Sequence, residues 1–133
     1  MTAATPYLLL PGTARAALSF YQGVFGGETS LNTYGDFGRD DGPADAIAHG
    51  ALDGPVSLFA ADAATGQETL VIRGLMFSLL GAAEAAVLRR WFAQLAERGL
   101  VVDDLQQRPW GASDGQVRDQ FGILWLIRFE SAE

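Results

Sequence analysis

Apolar positions follow two rhythms along this chain, and each rhythm occurs twice. Residues 6–10 (PYLLL) form a short apolar run ended by Pro11-Gly12, which predicts a buried strand. Thr13 then stands at an N-cap position. Ala14, Ala17, Leu18, Tyr21 and Phe25 follow at three- and four-residue spacing, predicting a helix that stops at Gly26-Gly27. Residues 28–34 (ETSLNTY) have strand composition, and residues 35–45 read as a mobile, turn-rich loop carrying several acids. Residues 46–52 and 55–60, separated by Asp53-Gly54, predict a hairpin. Alternation puts Ile47, His49 and Ala51 on one face of it and Ala48, Gly50 and Leu52 on the other.

The second half repeats the order. Residues 61–69 are small and polar and read as a linker, and residues 71–80 (VIRGLMFSLL) read as a strand. Residues 81–98 predict an amphipathic helix with Val87, Leu88, Trp91 and Leu95 inward, closed by Gly99. Residues 100–105 predict a further strand. Residues 110–125 (WGASDGQVRDQFGILW) then read as a rim loop, a strand, a tight turn and a final buried strand. Residues 8–18 lie over residues 77–87 at a constant offset, with Leu10 over Leu79 and Gly12 over Gly81; Ala14, Ala16 and Ala17 lie over Ala83, Ala85 and Ala86. The expected fold is α+β: paired βαβββ modules forming a curved, mostly antiparallel sheet with helices on one side. A single domain is expected over residues 1–133, with module one at about 1–64 and module two at about 65–133.

Composition narrows the chemistry. A chain of 133 residues buries a sizeable core without disulfides, and none can form because cysteine is absent. The formal net charge of −7 argues against a nucleic-acid partner, which requires a basic footprint. Every basic residue is Arg, so Schiff-base chemistry on lysine is excluded. His49 is the one histidine, so no single chain can build a metal site on two imidazoles. No early run is long enough to span a bilayer and no basic n-region precedes an apolar stretch, so a cytoplasmic protein without membrane contact is expected.

The segment PYLLLPGTARAALSFYQGVFGGE, with Phe20, Tyr21, Val24, Phe25, Gly26 and Gly27, resembles the opening of PhnB-like proteins. These form a branch of the glyoxalase/bleomycin-resistance (vicinal oxygen chelate) superfamily. The Tyr34-Gly35-Asp36 turn, the strand carrying His49, and the ending Trp110-Gly111 … Asp119-x-Phe121-Gly122-x-x-Trp125 are similar to that branch too. The resemblance implies a cupped sheet around a cavity, usually in a homodimer, and a divalent metal held by four ligands on the first and last strands of each module. Those ligand positions fall here on Pro6, on Leu58 or Phe59, on Gly74 or Leu75, and on Leu126. None of these carries a metal-binding side chain, so no metal and no other cofactor is expected.

Several residues are candidates for chemistry. His49 is the one candidate for acid–base work, or a donor to a ligand oxygen; the plainer reading is a strand histidine satisfied by a neighbour. Asp62 would orient the His49 ring or serve as a cap or turn residue. Asp36, Asp40, Asp41 and Asp45 lack the spacing of a calcium loop and read as a solvated loop. Tyr34, Phe59, Phe77, Trp110 and Trp125 line a ligand pocket or belong to the core, and Trp125 between Leu124 and Leu126 belongs to the core. Trp110, between Pro109 and Gly111, covers a cavity or packs on a partner chain. The ligand-binding set is therefore His49, Tyr34, Phe59, Asp62 and Trp110. The first functional reading is a homodimeric small-molecule binder without the superfamily metal site. The alternative is a metal-dependent lyase, isomerase or dioxygenase using a non-standard site around His49. PhnB-like chains also carry a demethylubiquinone-methyltransferase label, but the strand, glycine-rich loop and helix of a nucleotide-type methyl-donor site are missing.

Overall fold

The computed structural model describes residues 4–130; the outermost three positions at each end of the expected domain lie outside the described residues. The chain divides into two compact units, one ending at Leu70 and one beginning at Val71.

The first unit contains β1 (Tyr7–Leu10), α1 (Ala14–Phe25), β2 (Glu28–Thr33), β3 (Ile47–Asp53) and β4 (Leu58–Asp62). Its sheet has the order β1-β4-β3-β2, with β1 parallel to β4 and the remaining pairs antiparallel. The helical face read from the sequence is the buried one: Ala14, Ala17, Leu18 and Tyr21 are fully enclosed and Phe25 nearly so. That face lies on β3, where Gly50 makes room for it. A Cβ at Gly50 would stand 2.5 Å from Leu18 Cδ1, so a side chain there would force the Leu18 side chain to shift. Leu8, Leu10, Leu52, Leu58 and Ala60 complete the buried layer, each large aliphatic contributing about 1.5–3 kcal/mol.

Two local expectations change in this unit. Thr13 occupies the N-cap position of α1 but its side chain makes no capping bond. The Ala14 amide is instead received by Asp62 Oδ1 at 2.9 Å, from the far end of β4. The acid-rich loop is also organised internally. Asp36 accepts from the Thr33 amide at 2.8 Å while Thr33 Oγ1 accepts from the Asp36 amide at 3.0 Å. Arg39 lies 4.0 Å over the Tyr34 ring and pairs with Asp41 at 2.6 Å.

The second unit contains β5 (Phe77–Leu80), α2 (Ala85–Ala96), β6 (Leu100–Gln107), β7 (Ala112–Arg118) and β8 (Leu124–Glu130). Its order, β5-β8-β7-β6, with β5 parallel to β8, reproduces the first sheet strand for strand. The two glycines that the internal repeat superposes, Gly12 and Gly81, both adopt positive φ just after the first strand of their unit. Residues 71–76, read as part of a strand, are irregular, because Gly74 turns to φ 70° and Val71 and Leu75 stay exposed. On α2 the buried residues are Leu88, Trp91, Phe92 and Leu95; Val87 is only half-buried, because the helix turns Phe92 inward instead.

The turn between β7 and β8 is built on one carboxylate. Asp119, 4 % exposed, accepts from the amides of Phe121 and Ile123 at 2.8 and 3.1 Å through Oδ1. Its Oδ2 accepts from Trp125 Nε1 at 2.8 Å. The Asp119-x-Phe121-Gly122-x-x-Trp125 motif is thus a hairpin whose acid organises the turn and fixes the indole in the core. Asp119→Asn retains only one acceptor oxygen for three donors. It is expected to lower unfolding stability by about 2–3 kcal/mol in urea denaturation, since buried bonds to a charged acceptor contribute about 1.5–3 kcal/mol each. An unchanged midpoint would show that the carboxylate does not organise the turn.

Candidate functional site

Alternation along β3 divides the first sheet into two faces. With Gly50 against α1, its neighbour His49 turns to the face away from the helix. On β1, Leu8 and Leu10 are buried and Tyr7 turns the other way; on β4, Leu58 and Ala60 are buried and Phe59 turns the other way. The parallel pairing sets Tyr7 opposite Phe59, and the antiparallel pairing sets Ala51 opposite Phe59. Three rings therefore meet on the open face. The His49 ring lies 5.5 Å from Tyr7 and 5.3 Å from Phe59, with Tyr7 and Phe59 5.7 Å apart. The interplanar angles are 44°, 51° and 57°, so the rings form a corner of tilted walls and not a parallel stack.

One polar contact binds this corner: Tyr7 Oη and His49 Nδ1 are 2.9 Å apart. Tyr7 remains 45 % exposed, so the cluster is reachable from solvent. Burial of the phenol raises its pKa above the ordinary tyrosine value; the Arg39 charge opposes this and Tyr34 adds to it.

The remaining ligand-binding candidates have different surroundings. Tyr34 is 1 % exposed, donates its hydroxyl to the Asp62 carbonyl at 2.6 Å, and is roofed by Arg39. Asp62 does not reach the His49 ring; its Oδ1 and Oδ2 receive the amides of Ala14 and Ile47 at 2.9 and 2.8 Å. Both residues hold the strands that carry the rings. Asp62 also borders a hollow of about 550 Å³ beside Arg15, Ser19 and Asp45. Trp110 belongs to the second unit and is 68 % exposed at the tip of the β6–β7 turn. The base of that turn is braced by Arg108, paired with Asp103 at 2.6 Å and Asp114 at 2.7 Å. These two carboxylates raise the Arg108 pKa, Asp114 having the larger effect. Tyr7 was the residue the apolar reading of PYLLL passed over. The signal was present, because a period of two places Tyr7 opposite Leu8 and Leu10.

The positions at which the resemblance puts the superfamily's metal ligands carry no metal-binding side chain. Pro6 precedes β1, Leu58 and Phe59 lie on β4, and Gly74 and Leu75 lie in the irregular stretch before β5. Leu126 sits on β8 between Ser78 and Gln116. All six are hydrocarbon or glycine and offer no donor atom to a divalent cation. Among the described residues no group of three or more His, Asp or Glu is placed to hold a metal ion.

The sequence profile of the Glyoxalase/Bleomycin resistance protein/Dioxygenase superfamily matches residues 5–127. Protein PA1353 from Pseudomonas aeruginosa is similar over 99 % of this chain and 100 % of its own, at 31 % identity and a TM-score of 0.81. The PhnB protein from Bacillus cereus is similar over 96 % of this chain and 99 % of its own. Its identity is 17 % and its TM-score 0.79, a likeness of fold. TioX from Micromonospora sp. ML1 shares the fold at 22 % identity and a TM-score of 0.55, over 99 % of this chain and 98 % of its own. Among curated proteins none matches. No helix of the described residues is long and apolar enough to cross a membrane.

Because burial raises the Tyr7 pKa, the folded state holds that proton more tightly than the unfolded chain does. The associated stability is fully present below the unfolded value near 10 and is lost as pH rises through the folded value. In an absorbance titration at alkaline pH, subtracting Tyr7→Phe from wild type is expected to leave one tyrosinate step above pH 10. A step at or below that value would contradict the burial of the phenol.

Proposed function

The chain belongs to the glyoxalase/bleomycin-resistance/dioxygenase superfamily, and from that premise we propose that it is a PhnB-like small-molecule binder working without the superfamily's metal site. The observation that carries this reading is the solvent-reachable corner of Tyr7, His49 and Phe59 on the open face of the first sheet. Three rings there offer apolar area and one polar contact, the mixture that ligand pockets use for affinity and orientation. The hydrocarbon at the metal positions supports the metal-free form of the reading. His49 and Phe59 touch the ligand and Tyr34 and Asp62 hold the strands beneath them; Trp110, exposed on the second unit, serves as an aromatic cover there or packs on a partner chain.

A homodimer belongs to the same proposal. Edge strand β6 exposes Leu100, Val101 and Val102, and Trp110 stands beyond its end. An exposed apolar edge of this kind is a template for pairing with a partner chain. Light scattering at micromolar concentration is expected to give twice the mass of the chain, and a monomer would refute the assembly.

The binding reading is tested by thermal shift against a panel of small neutral and cationic aromatic molecules, in protein treated with a chelator and in protein supplied with divalent metal. Stabilisation by the same compounds in both preparations is expected, and its loss in His49→Ala would locate the site. Stabilisation confined to the metal-supplied protein would overturn the metal-free reading.

A further inference from the structure

Tyr7 and His49 share one hydrogen bond, and its direction determines what the imidazole can offer a ligand. A phenol O–H is a stronger acid than a neutral imidazole N–H, and an imidazole nitrogen lone pair is a better acceptor than a phenol oxygen. These preferences favour Tyr7 O–H donating to Nδ1 across the 2.9 Å contact. Burial of the phenol acts in the same direction, because it favours the protonated form that donates. With Nδ1 accepting, the single proton of the neutral ring must sit on Nε2.

That N–H has no acceptor among the described residues, since the bond to Tyr7 is the one hydrogen bond His49 makes there. It stands beside the rings of Tyr7 and Phe59, tilted at 44° and 51° to the imidazole. A flat molecule stacked on either wall brings its edge to the imidazole, where an acceptor would complete the N–H and a hydrocarbon would leave it unsatisfied. We propose that Tyr7 is a positioning residue that holds His49 as the Nε2–H tautomer, and that this face therefore selects planar aromatic ligands bearing a carbonyl-type acceptor. The inference rests on the reading of this face as a ligand site and adds the chemical class of its occupant.

The single histidine makes the test direct. Long-range proton–nitrogen correlation spectra of the imidazole are recorded near neutral pH for wild type and Tyr7→Phe. Each protein is measured alone, with acetophenone, and with α-methylstyrene, in which a methylene replaces the carbonyl oxygen. Tyr7→Phe keeps the ring and removes only a hydroxyl from a residue that is 45 % exposed, so the fold is retained. Wild type is expected to show the Nε2–H pattern, and Tyr7→Phe a mixture of tautomers. Acetophenone is expected to shift Nε2 and to bind wild type about tenfold more tightly than α-methylstyrene, the preference narrowing in Tyr7→Phe. An Nδ1–H pattern in wild type, or equal binding of the two probes, would overturn the proposal while leaving the binding site standing. If neither probe disturbs His49, the binding reading fails, and the ligand class proposed here fails with it.

Discussion

One carboxylate at the end of β4 holds three elements of the first unit together. Asp62 is 7 % exposed, and each of its side-chain oxygens faces a backbone N–H from a different element. One belongs to the first turn of α1, where the helix leaves amides unpaired and carries partial positive charge. The other opens β3, the strand of His49. The Asp62 carbonyl takes the Tyr34 hydroxyl, which anchors the start of the acid-rich loop. Since β4 also carries Phe59 and pairs with β1 from Tyr7 to Leu10, the meeting of the three rings depends on where Asp62 pins the end of that strand. The site residues are therefore supported from below by a group that does not touch the open face.

The second unit has the same strand order and also relies on a buried carboxylate, put to a different use. Asp119 closes the last hairpin and fixes Trp125, whereas Asp62 joins helix to sheet. The chemistry of β7 differs as well. Its buried positions Ser113, Gly115 and Val117 alternate with Asp114, which Arg108, just past the end of β6, engages together with Asp103. Polar groups there satisfy one another, while the first unit gathers the three rings of Tyr7, His49 and Phe59. Two sheets of one strand order thus carry different surfaces, and the proposed ligand is assigned to the aromatic one.

Much of this was legible in the chain. Helix α1 could be read because a 3.6-residue period survives in Ala14, Ala17, Leu18, Tyr21 and Phe25, and the paired βαβββ modules because the element order repeats. What could not be read depended on distance along the chain. Thr13 has the right residue type for a cap, yet the Ala14 amide is taken by a residue 48 positions later. Residues 71–76 are apolar enough for a strand, and composition alone does not reveal that Gly74 breaks the run. Of the candidate site, alternation put His49 on the face opposite Gly50 without saying which face is buried, and its partner Tyr7 was hidden inside a run read as wholly buried. Tyr34 and Asp62 were recognised as notable residues; that they bond to each other required the folded chain.

The dependence of the Tyr7–His49–Phe59 corner on the Asp62 carboxylate is tested by Asp62→Asn. An amide accepts one of the two backbone N–H groups and presents its own N–H to the other. A stability loss of about 1.5–3 kcal/mol is expected, together with displaced imidazole resonances of His49 although the substitution lies off its face. Unchanged stability with an unmoved His49 spectrum would contradict it.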